Sequence, residues 1–246
     1  MAQSNHWKIL CNCDLSGYTL VIPSVAVGNV GQLACDLVVS SLFMRKIAMV
    51  YSPALVPVAG CDPYKLESTS IASCCEVYVC ETRKIVILLL RAPLVQKYSQ
   101  QFLTEVVDKF TADNIKDVII LTSAFAHEKR HIMTSPFRYV VNEMCPYKNK
   151  LKSLEWVEHE PKEESVTIIG GGFANLLYDI VNQKSVPCLI IYKFSSEGDN
   201  IPDAYEMVHY LNSVVTLFDE PEFYKKLIQP VSWKHLYGGP PPTSIY

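Results

Sequence analysis

The chain has 246 residues, of which 49% are hydrophobic and 19% are charged, so it is long enough to bury a sizeable core. Its formal net charge is −3, so the chain lacks the excess positive charge that favours binding to nucleic acid or to an anionic membrane surface. The longest uninterrupted apolar run, Ile85–Leu90, is far shorter than the roughly 20 residues of a membrane-spanning helix, and the first residues lack the charged and apolar regions of a signal peptide.

The first half of the chain alternates apolar strand patterns with a helical pattern. Residues 18–27 and 46–51 are predicted strands on either side of a predicted helix at 29–44. A loop punctuated by proline and glycine follows, and residues 72–92 then predict a hairpin of two apolar strands. Pro23 in the first strand is typical of an edge position or a bulge.

The second half of the chain continues this alternation. Tyr98, Phe102, Val106 and Phe110 recur every four residues and predict an amphipathic helix that ends near residue 112. The remaining predictions are strands at 116–123, 165–170 and 187–194, helices at 173–184, 202–218 and 220–228, and loops or short helices in the polar residues 124–162.

Continuous hydrophobic strands that alternate with helices are typical of a largely parallel sheet covered by helices on both faces. The predicted hairpin adds antiparallel strands, so we expect a single three-layer α/β sandwich with a mixed, largely parallel sheet. No shift in composition marks a domain boundary. The predicted organisation is one α/β domain over residues 1–237, followed by a flexible tail, 238–246, that is rich in glycine and proline.

The nine cysteines form no C-x-x-C pair, and Cys11 and Cys13 are too close together for the usual structural zinc pattern. Most of the others lie in apolar segments, namely Cys35, Cys74, Cys75, Cys80 and Cys188. Free thiols in a reducing compartment explain this distribution better than a metal site or disulfides. We therefore expect a protein of the cytoplasm, the nucleus or both, without a bound metal.

The predicted helix at 29–44 is apolar on nearly every face. Only Gln32, Asp36, Ser40 and Ser41 interrupt its apolar residues. Such a helix must be buried on all sides. Two explanations for this burial remain open. The helix lies inside a large core, or it forms an interface with another subunit.

Three predicted strand-to-helix junctions have unusual sequences, at residues 27–32, 169–173 and 195–203. Because ligands bind at the carboxyl ends of strands in open α/β sheets, an enzyme of phosphorylase or hydrolase type is one hypothesis. The chain has no dinucleotide fingerprint, P-loop or G-x-S-x-G elbow. The second hypothesis is therefore that the junctions are tight structural turns, with Asn29 as a helix N-cap. The residues of the first two junctions are Gly28, Asn29, Gly31, Gln32, Gly170, Gly171 and Gly172.

The third junction is the most polar of the three. Asn200 is predicted to cap the following helix, with Pro202 in its first turn and Asp203 completing a capping box. Alternatively, its acidic residues form a protein-contact surface, or a metal or acid–base site. His127 and His131 are expected in a solvated loop and not at a metal. The residues of the third junction are Glu197, Gly198, Asp199, Asn200, Pro202 and Asp203.

Five stretches of the chain resemble the proteasome assembly chaperone family. They include the specific blocks GNVGQLA and SEGDNIPDA, and the residues Ser232 and Trp233 add a further match before the tail. The stretches occur in the family's order and cover nearly the whole chain. They are residues 23–42, 55–64, 135–139, 170–179 and 193–204.

This resemblance implies a non-enzymatic chaperone without a cofactor. Its partners would be proteasome assembly chaperone 1, in a heterodimer, and the α-subunits of the proteasome core particle. It would promote α-ring and core-particle assembly and prevent off-pathway association of α-rings. The resemblance also implies an α/β sandwich similar to the nucleoside-phosphorylase-like fold, which would supply enzyme-like junctions without catalytic groups.

The chain closes with YGGPPPTSIY, a proline-rich stalk with a hydrophobic and an aromatic residue at its end. The resemblance implies that a C-terminal hydrophobic–tyrosine–any-residue motif docks between neighbouring α-subunits. Ser244, Ile245 and Tyr246 would be the docking residues here, but the match is one residue out of register because Tyr246 is last. Docking of the tail and a frayed terminus are both open.

Overall fold

Strands and helices alternate in the computed structural model, which describes residues 5–160, 166–219 and 221–235. The strands are β1 (His6–Ile9), β2 (Thr19–Pro23), β3 (Arg45–Tyr51), β4 (Ala59–Cys61), β5 (Ile71–Ser73), β6 (Cys75–Cys80), β7 (Ile85–Leu90), β8 (Asp117–Phe125), β9 (Phe137–Val141) and β10 (Cys188–Ser195). The helices are α1 (Val30–Ser41), α2 (Gln96–Ala112), α3 (Lys148–Ser153), α4 (Ala174–Gln183) and α5 (Ile201–Val214), with 3₁₀ turns at Val27–Asn29, Ala126–Glu128, Phe223–Lys226 and Val231–His235.

Eight of the described strands form one mixed sheet in the order β1-β3-β6-β7-β2-β8-β10-β9, and β4 pairs with β5 in a separate ribbon. The four central strands, β7, β2, β8 and β10, are parallel. The other pairs are antiparallel, so three of the seven neighbouring pairs are parallel. The predicted mixed α/β sheet is confirmed. Its parallel part is smaller than expected because β6 pairs with β3 as well as β7, and because β9 adds an antiparallel edge.

Helices cover both faces of the sheet, as the sequence predicts. On one face, α2 and α4 share a core with Ile22 and Ile120. On the other face, α1 and α5 share a core with Val21 and Ile119. Neighbouring residues of a strand therefore enter opposite cores, in keeping with the two-residue period of a strand. Among the described residues, no helix has both the length and the apolar character needed to cross a bilayer.

Helix α1 belongs to the second of these cores, which explains its apolar composition. Most of its residues are buried, including Leu37 and Val38 and the polar Asp36 and Ser40. Each fully buried aliphatic side chain of this kind contributes roughly 1.5–3 kcal/mol to folding. The chain itself buries this helix, so the first of the two explanations, a position inside a large core, is confirmed.

The predicted strand at 165–170 is wrong for residues 166–170, which form coil and a turn. The Ile168 amide donates to the Asn175 side-chain oxygen, and the Ile169 carbonyl accepts from the Phe125 amide. These backbone groups therefore bond to a side chain and to one strand end, and not to a neighbouring strand.

The predicted loop or short helix at 135–139 is also wrong for residues 137–139, because a strand begins at Phe137. β9 pairs with β10, and its Phe137 and Tyr139 side chains are buried in the core. On the outer side of β9, the Tyr139 amide donates to the Val157 carbonyl, and the His159 amide donates to the Tyr139 carbonyl. This covering segment protects the edge from pairing with other chains.

All nine cysteines lie within the described residues and are free thiols, as predicted. The five that the sequence placed in apolar segments are buried. Burial raises the pKa of the Cys35, Cys75 and Cys188 thiols. These three cysteines therefore act as small apolar side chains in the core.

Candidate functional site

The central parallel strands end at one edge of the sheet, which we call the carboxyl edge. β2, β8 and β10 end there beside one another. β3 runs in the same direction, since two antiparallel pairings separate it from β7. The connections that leave the sheet at this edge are residues 24–29, 52–74, 91–95, 126–136 and 196–200. The first and third junctions of the sequence thus lie side by side.

The triple-glycine junction packs against the end of β2. The Ser24 hydroxyl donates to the Gly171 carbonyl at 2.8 Å, and the Thr122 hydroxyl donates to the same oxygen at 2.9 Å. Gly172 has φ +61°, and a Cβ on it would lie 2.0 Å from the Val25 carbonyl oxygen. Only glycine fits this close approach of two backbones.

The first and third junctions also contact each other directly. Gly28 has φ +67°, and a Cβ on it would lie 2.4 Å from the Asn200 side-chain nitrogen. Asn200 is only 5% exposed, and its amide group donates to the Gly198 carbonyl at 3.2 Å. Gly31 allows α1 to approach β8, because a Cβ there would lie 2.5 Å from the Leu121 carbonyl oxygen. Three junctions distant in sequence are thus brought together at the carboxyl edge.

Asn29 and Asn200 occupy the N-cap positions of α1 and α5, as predicted, but the side-chain hydrogen bonds expected of such caps are absent. Asn29 adopts the left-handed conformation with φ 52°. Asp199 provides one bond instead, because its carboxylate accepts from the Ile201 amide at 3.1 Å. Pro202 lies in the first turn of α5, as predicted.

The predicted capping box at Asp203 is also wrong, because Lys193 pairs with this carboxylate. Lys193 is buried and donates to Asp203 at 2.5 Å and to Glu206 at 2.8 Å. The Ser195 hydroxyl donates to the second Asp203 oxygen at 3.2 Å. Glu197 is exposed. The described residues contain no group of three or more histidine, cysteine or acidic residues placed to hold a metal.

The enzyme hypothesis requires a pocket where the glycine junctions meet. The space beside Gly28 holds the Asn200 side chain, and backbone atoms of Leu121 and Val25 fill the space beside Gly31 and Gly172. Gly28, Gly31 and Gly172 are therefore tight packing positions, and the described residues leave no pocket of the kind that this hypothesis needs directly beside them.

A buried polar cluster, which the sequence did not reveal, holds the connection between β3 and β6. Asp36 of α1 accepts from Arg91 at 2.9 and 3.2 Å and from the Tyr64 hydroxyl at 2.5 Å. Burial and the neighbouring Asp36 raise the pKa of Tyr64, so its hydroxyl stays a donor. The signal in the sequence was a single acid within an apolar helix, whose partner had to be a buried base.

Exposed apolar side chains gather in the connections at the carboxyl edge. Met133 is 98% exposed and Ile132 is 81% exposed, in the loop between β8 and β9. Others lie in the connection between β3 and β6, after β7, or beside the triple glycine: Val56, Val58, Leu66, Ile71, Val95 and Ile169. Such groups of exposed apolar side chains mark protein-interaction sites.

The sequence of this chain is similar to a protein family and to named proteins over most of its length. A sequence model of the PAC2 family matches residues 20–217. The chain is 36% identical to the human protein named proteasome assembly chaperone 2, over 95% of this chain and 96% of that one. The chain belongs to the PAC2 family. Its likeness to the Saccharomyces cerevisiae protein of the same name is 25% identity over 89% of this chain and 94% of that one.

Solved structures share the fold of this PAC2 family chain. Pyrococcus furiosus PbaA, described as an archaeal homolog of proteasome-assembly chaperone, matches with a TM-score of 0.68 and 18% identity, over 91% of each chain. Pyrococcus furiosus PbaB, described as an archaeal proteasome activator, matches with a TM-score of 0.66 and 16% identity, over 90% of this chain and 93% of that one. These two structures show the shared fold, and the family match with the human relative confirms the resemblance noted in the sequence.

The five stretches that carry the resemblance meet at the carboxyl edge of this PAC2 family chain. Four begin at strand ends or in connections there, and the fifth begins in the triple glycine that packs on β2. The Phe194 amide donates to the Pro136 carbonyl at 2.9 Å, which joins two of the stretches. The Ser232 amide donates to the Pro63 carbonyl at 3.2 Å, which joins the last match to the stretch 55–64. The predicted docking residues Ser244, Ile245 and Tyr246 lie outside the described residues.

Proposed function

We propose that this chain is a non-enzymatic proteasome assembly chaperone that binds its protein partners through the carboxyl edge. The observation that carries the proposal is the near full-length similarity to proteins named proteasome assembly chaperone 2. The exposed apolar side chains at the same edge as the five resembling stretches support it. The nine free thiols fit a reducing compartment, so we place the protein in the cytoplasm and the nucleus.

The finer proposal names the partners. The chain forms a heterodimer with proteasome assembly chaperone 1, and the pair binds α-subunits of the proteasome core particle. Binding promotes formation of the α-ring and the core particle and keeps α-rings from associating off-pathway. Capture of both partners by the affinity-tagged chain from cells, identified by mass spectrometry, tests this proposal. Recovery of a stable monomer that retains neither partner contradicts it.

Changing the apolar tip of the β8–β9 loop tests the role of the carboxyl edge. We expect the double substitution Ile132→Asp and Met133→Asp to lower capture of at least one partner by about tenfold or more, because it removes exposed apolar contact area. The control is Phe43→Asp, since Phe43 is 78% exposed and lies at the opposite edge of the sheet, before β3. Wild-type capture of both partners by the double variant would show that this tip is not the binding surface.

Changing the length of the tail tests its docking. Deletion of Ser244, Ile245 and Tyr246 should weaken α-ring binding and leave the heterodimer intact. Binding constants that are equal for the wild type and the deletion would refute docking by these residues.

A further inference from the structure

A cavity of about 70 Å³ lies at the carboxyl ends of β8 and β10, and Ile169 of the second junction contributes to its wall. Its lining also includes Ala124, Arg138, Tyr192 and Phe194. The volume exceeds the roughly 10–15 Å³ that a cavity needs to hold one water molecule. The cavity therefore has room for a small chemical group.

Arg138 makes this cavity unusual, because its guanidinium is buried and forms no direct ion pair with a described carboxylate, although Glu128 and Glu160 line the same cavity. The residue is 7% exposed, and its Nη1 donates to the Ser135 and Phe137 carbonyls at 2.5 and 2.7 Å. Its Nη2 donates to the Thr134 hydroxyl at 2.7 Å, and its charged end lies 5.5 Å from the centre of the Phe194 ring. All four groups are neutral, and no ion pair joins Arg138 to another described residue.

The hydrogen bonds of Arg138 leave part of the guanidinium available. A guanidinium has five N–H donors, and three donate to described residues. The Nε–H makes no hydrogen bond to a described residue and is not fully buried, so a ligand in the cavity can reach it. A buried charge is costly unless it is both paired and hydrogen-bonded. A bound anion would supply the missing charge and the missing acceptors together.

The other lining groups favour a carboxylate over a phosphate. Glu128 and Glu160 also line the cavity, so a dianion would be repelled more strongly than a singly charged group. Burial raises the pKa of Tyr192, while Arg138 opposes that shift, and the phenol remains protonated. Its oxygen lies 2.8 Å from the His159 Nδ1. A carboxylate also presents two oxygens side by side, which suits a guanidinium with two N–H groups left.

We propose that this cavity binds a carboxylate group through Arg138. The group belongs either to a small free carboxylic acid or to an acidic side chain of a protein partner. The chemistry is the same in both cases, and the site does not depend on the proposed function.

The Nε–H signals of the arginines in the ¹H–¹⁵N spectrum of the full-length protein report on this site. The chain has only five arginines, at positions 45, 83, 91, 130 and 138, so the signals are few. Acetate should shift the Arg138 signal saturably, while sodium chloride at equal ionic strength should not. Inorganic phosphate should bind more weakly than acetate. N-acetylglutamate amide, which mimics an acidic side chain, shifts the same signal if the cavity admits a protein carboxylate and leaves it unmoved if only free acids enter.

Arg138→Lys keeps the charge but removes the planar fork, and we expect it to lower acetate affinity by about tenfold or more. Arg45→Gln is the matched control, because Arg45 is an exposed arginine of β3 that does not line the cavity; it should retain the affinity. If Arg138→Lys fails to fold, the titration of the wild-type protein still shows whether acetate binds at Arg138. An Arg138 signal that follows ionic strength alone, or phosphate binding tighter than acetate, overturns the proposal and leaves Arg138 as a clamp for the β8–β9 loop.

Discussion

The substitution Gly172→Ala is expected to lower the free energy of unfolding by about 2–5 kcal/mol. The left-handed backbone at this position costs a residue with a Cβ roughly 1–2 kcal/mol. A Cβ would also lie 2.0 Å from the Val25 carbonyl oxygen, and backbone must shift to relieve that contact. Overpacking of this kind typically costs a further 1–3 kcal/mol. Equilibrium unfolding in urea measures the change.

Gly17→Ala separates the two causes. Gly17 has φ +76°, similar to that of Gly172, but a Cβ there would have no neighbour within 4 Å. Gly17→Ala should therefore lower the free energy of unfolding only by the cost of the left-handed backbone, roughly 1–2 kcal/mol. If the two variants lose the same stability, the triple glycine is not held by close packing on β2, and the space for a pocket at this junction has to be considered again.

Local patterns in the sequence were enough to predict most of the fold. Each of these signals lies within a short stretch of sequence. Examples are the apolar runs of β7, β8 and β10 and the four-residue spacing in α2. β9 escaped prediction because its sequence carries a charged residue, Arg138, between buried aromatic ones and follows a polar loop. β1 and the β4–β5 ribbon are short and mostly exposed, so no apolar pattern marks them. Their pairing depends on partners far away in the chain.

The candidate site was predictable in part only. Its position follows in part from the chain order of strands and helices. The first and third junctions lie between a strand and a helix, as predicted, whereas coil and not a strand leads into the triple glycine among the described residues. The side chains that pack into these junctions cannot be predicted from local patterns. Gly28 and Asn200, for example, are far apart in the chain and come into contact only in the folded sheet. Cap rules assigned Asn29 and Asp203 from their neighbours in sequence. In the folded chain, Asn29 has a left-handed backbone and makes no side-chain cap bond, and Asp203 pairs with Lys193 of the preceding strand β10.

Arg91→Leu should lower the free energy of unfolding by about 3–5 kcal/mol, which is the usual effect of removing one partner from a buried ion pair. Asp36 is 6% exposed, so the substitution leaves a buried carboxylate with only the Tyr64 hydroxyl as a side-chain partner. The same cluster holds the connection between β3 and β6. We therefore also expect faster amide hydrogen exchange at residues 55–64, beyond what the global loss of stability explains.

The double variant Asp36→Leu and Arg91→Leu distinguishes a buried charge from lost packing. It removes both charges, and replacing a whole buried pair by apolar side chains is often close to neutral. It should therefore recover much of the stability that Arg91→Leu loses. Arg83→Leu is the exposed counterpart, because Arg83 pairs with the exposed Asp219, and its effect should be a small fraction of that of Arg91→Leu. If Arg91→Leu and Arg83→Leu have equal effects, or if the double variant is the least stable of all, the ion pair does not anchor this connection. The exposed apolar groups at Val56 and Val58 would then be held by the ribbon of β4 and β5 alone.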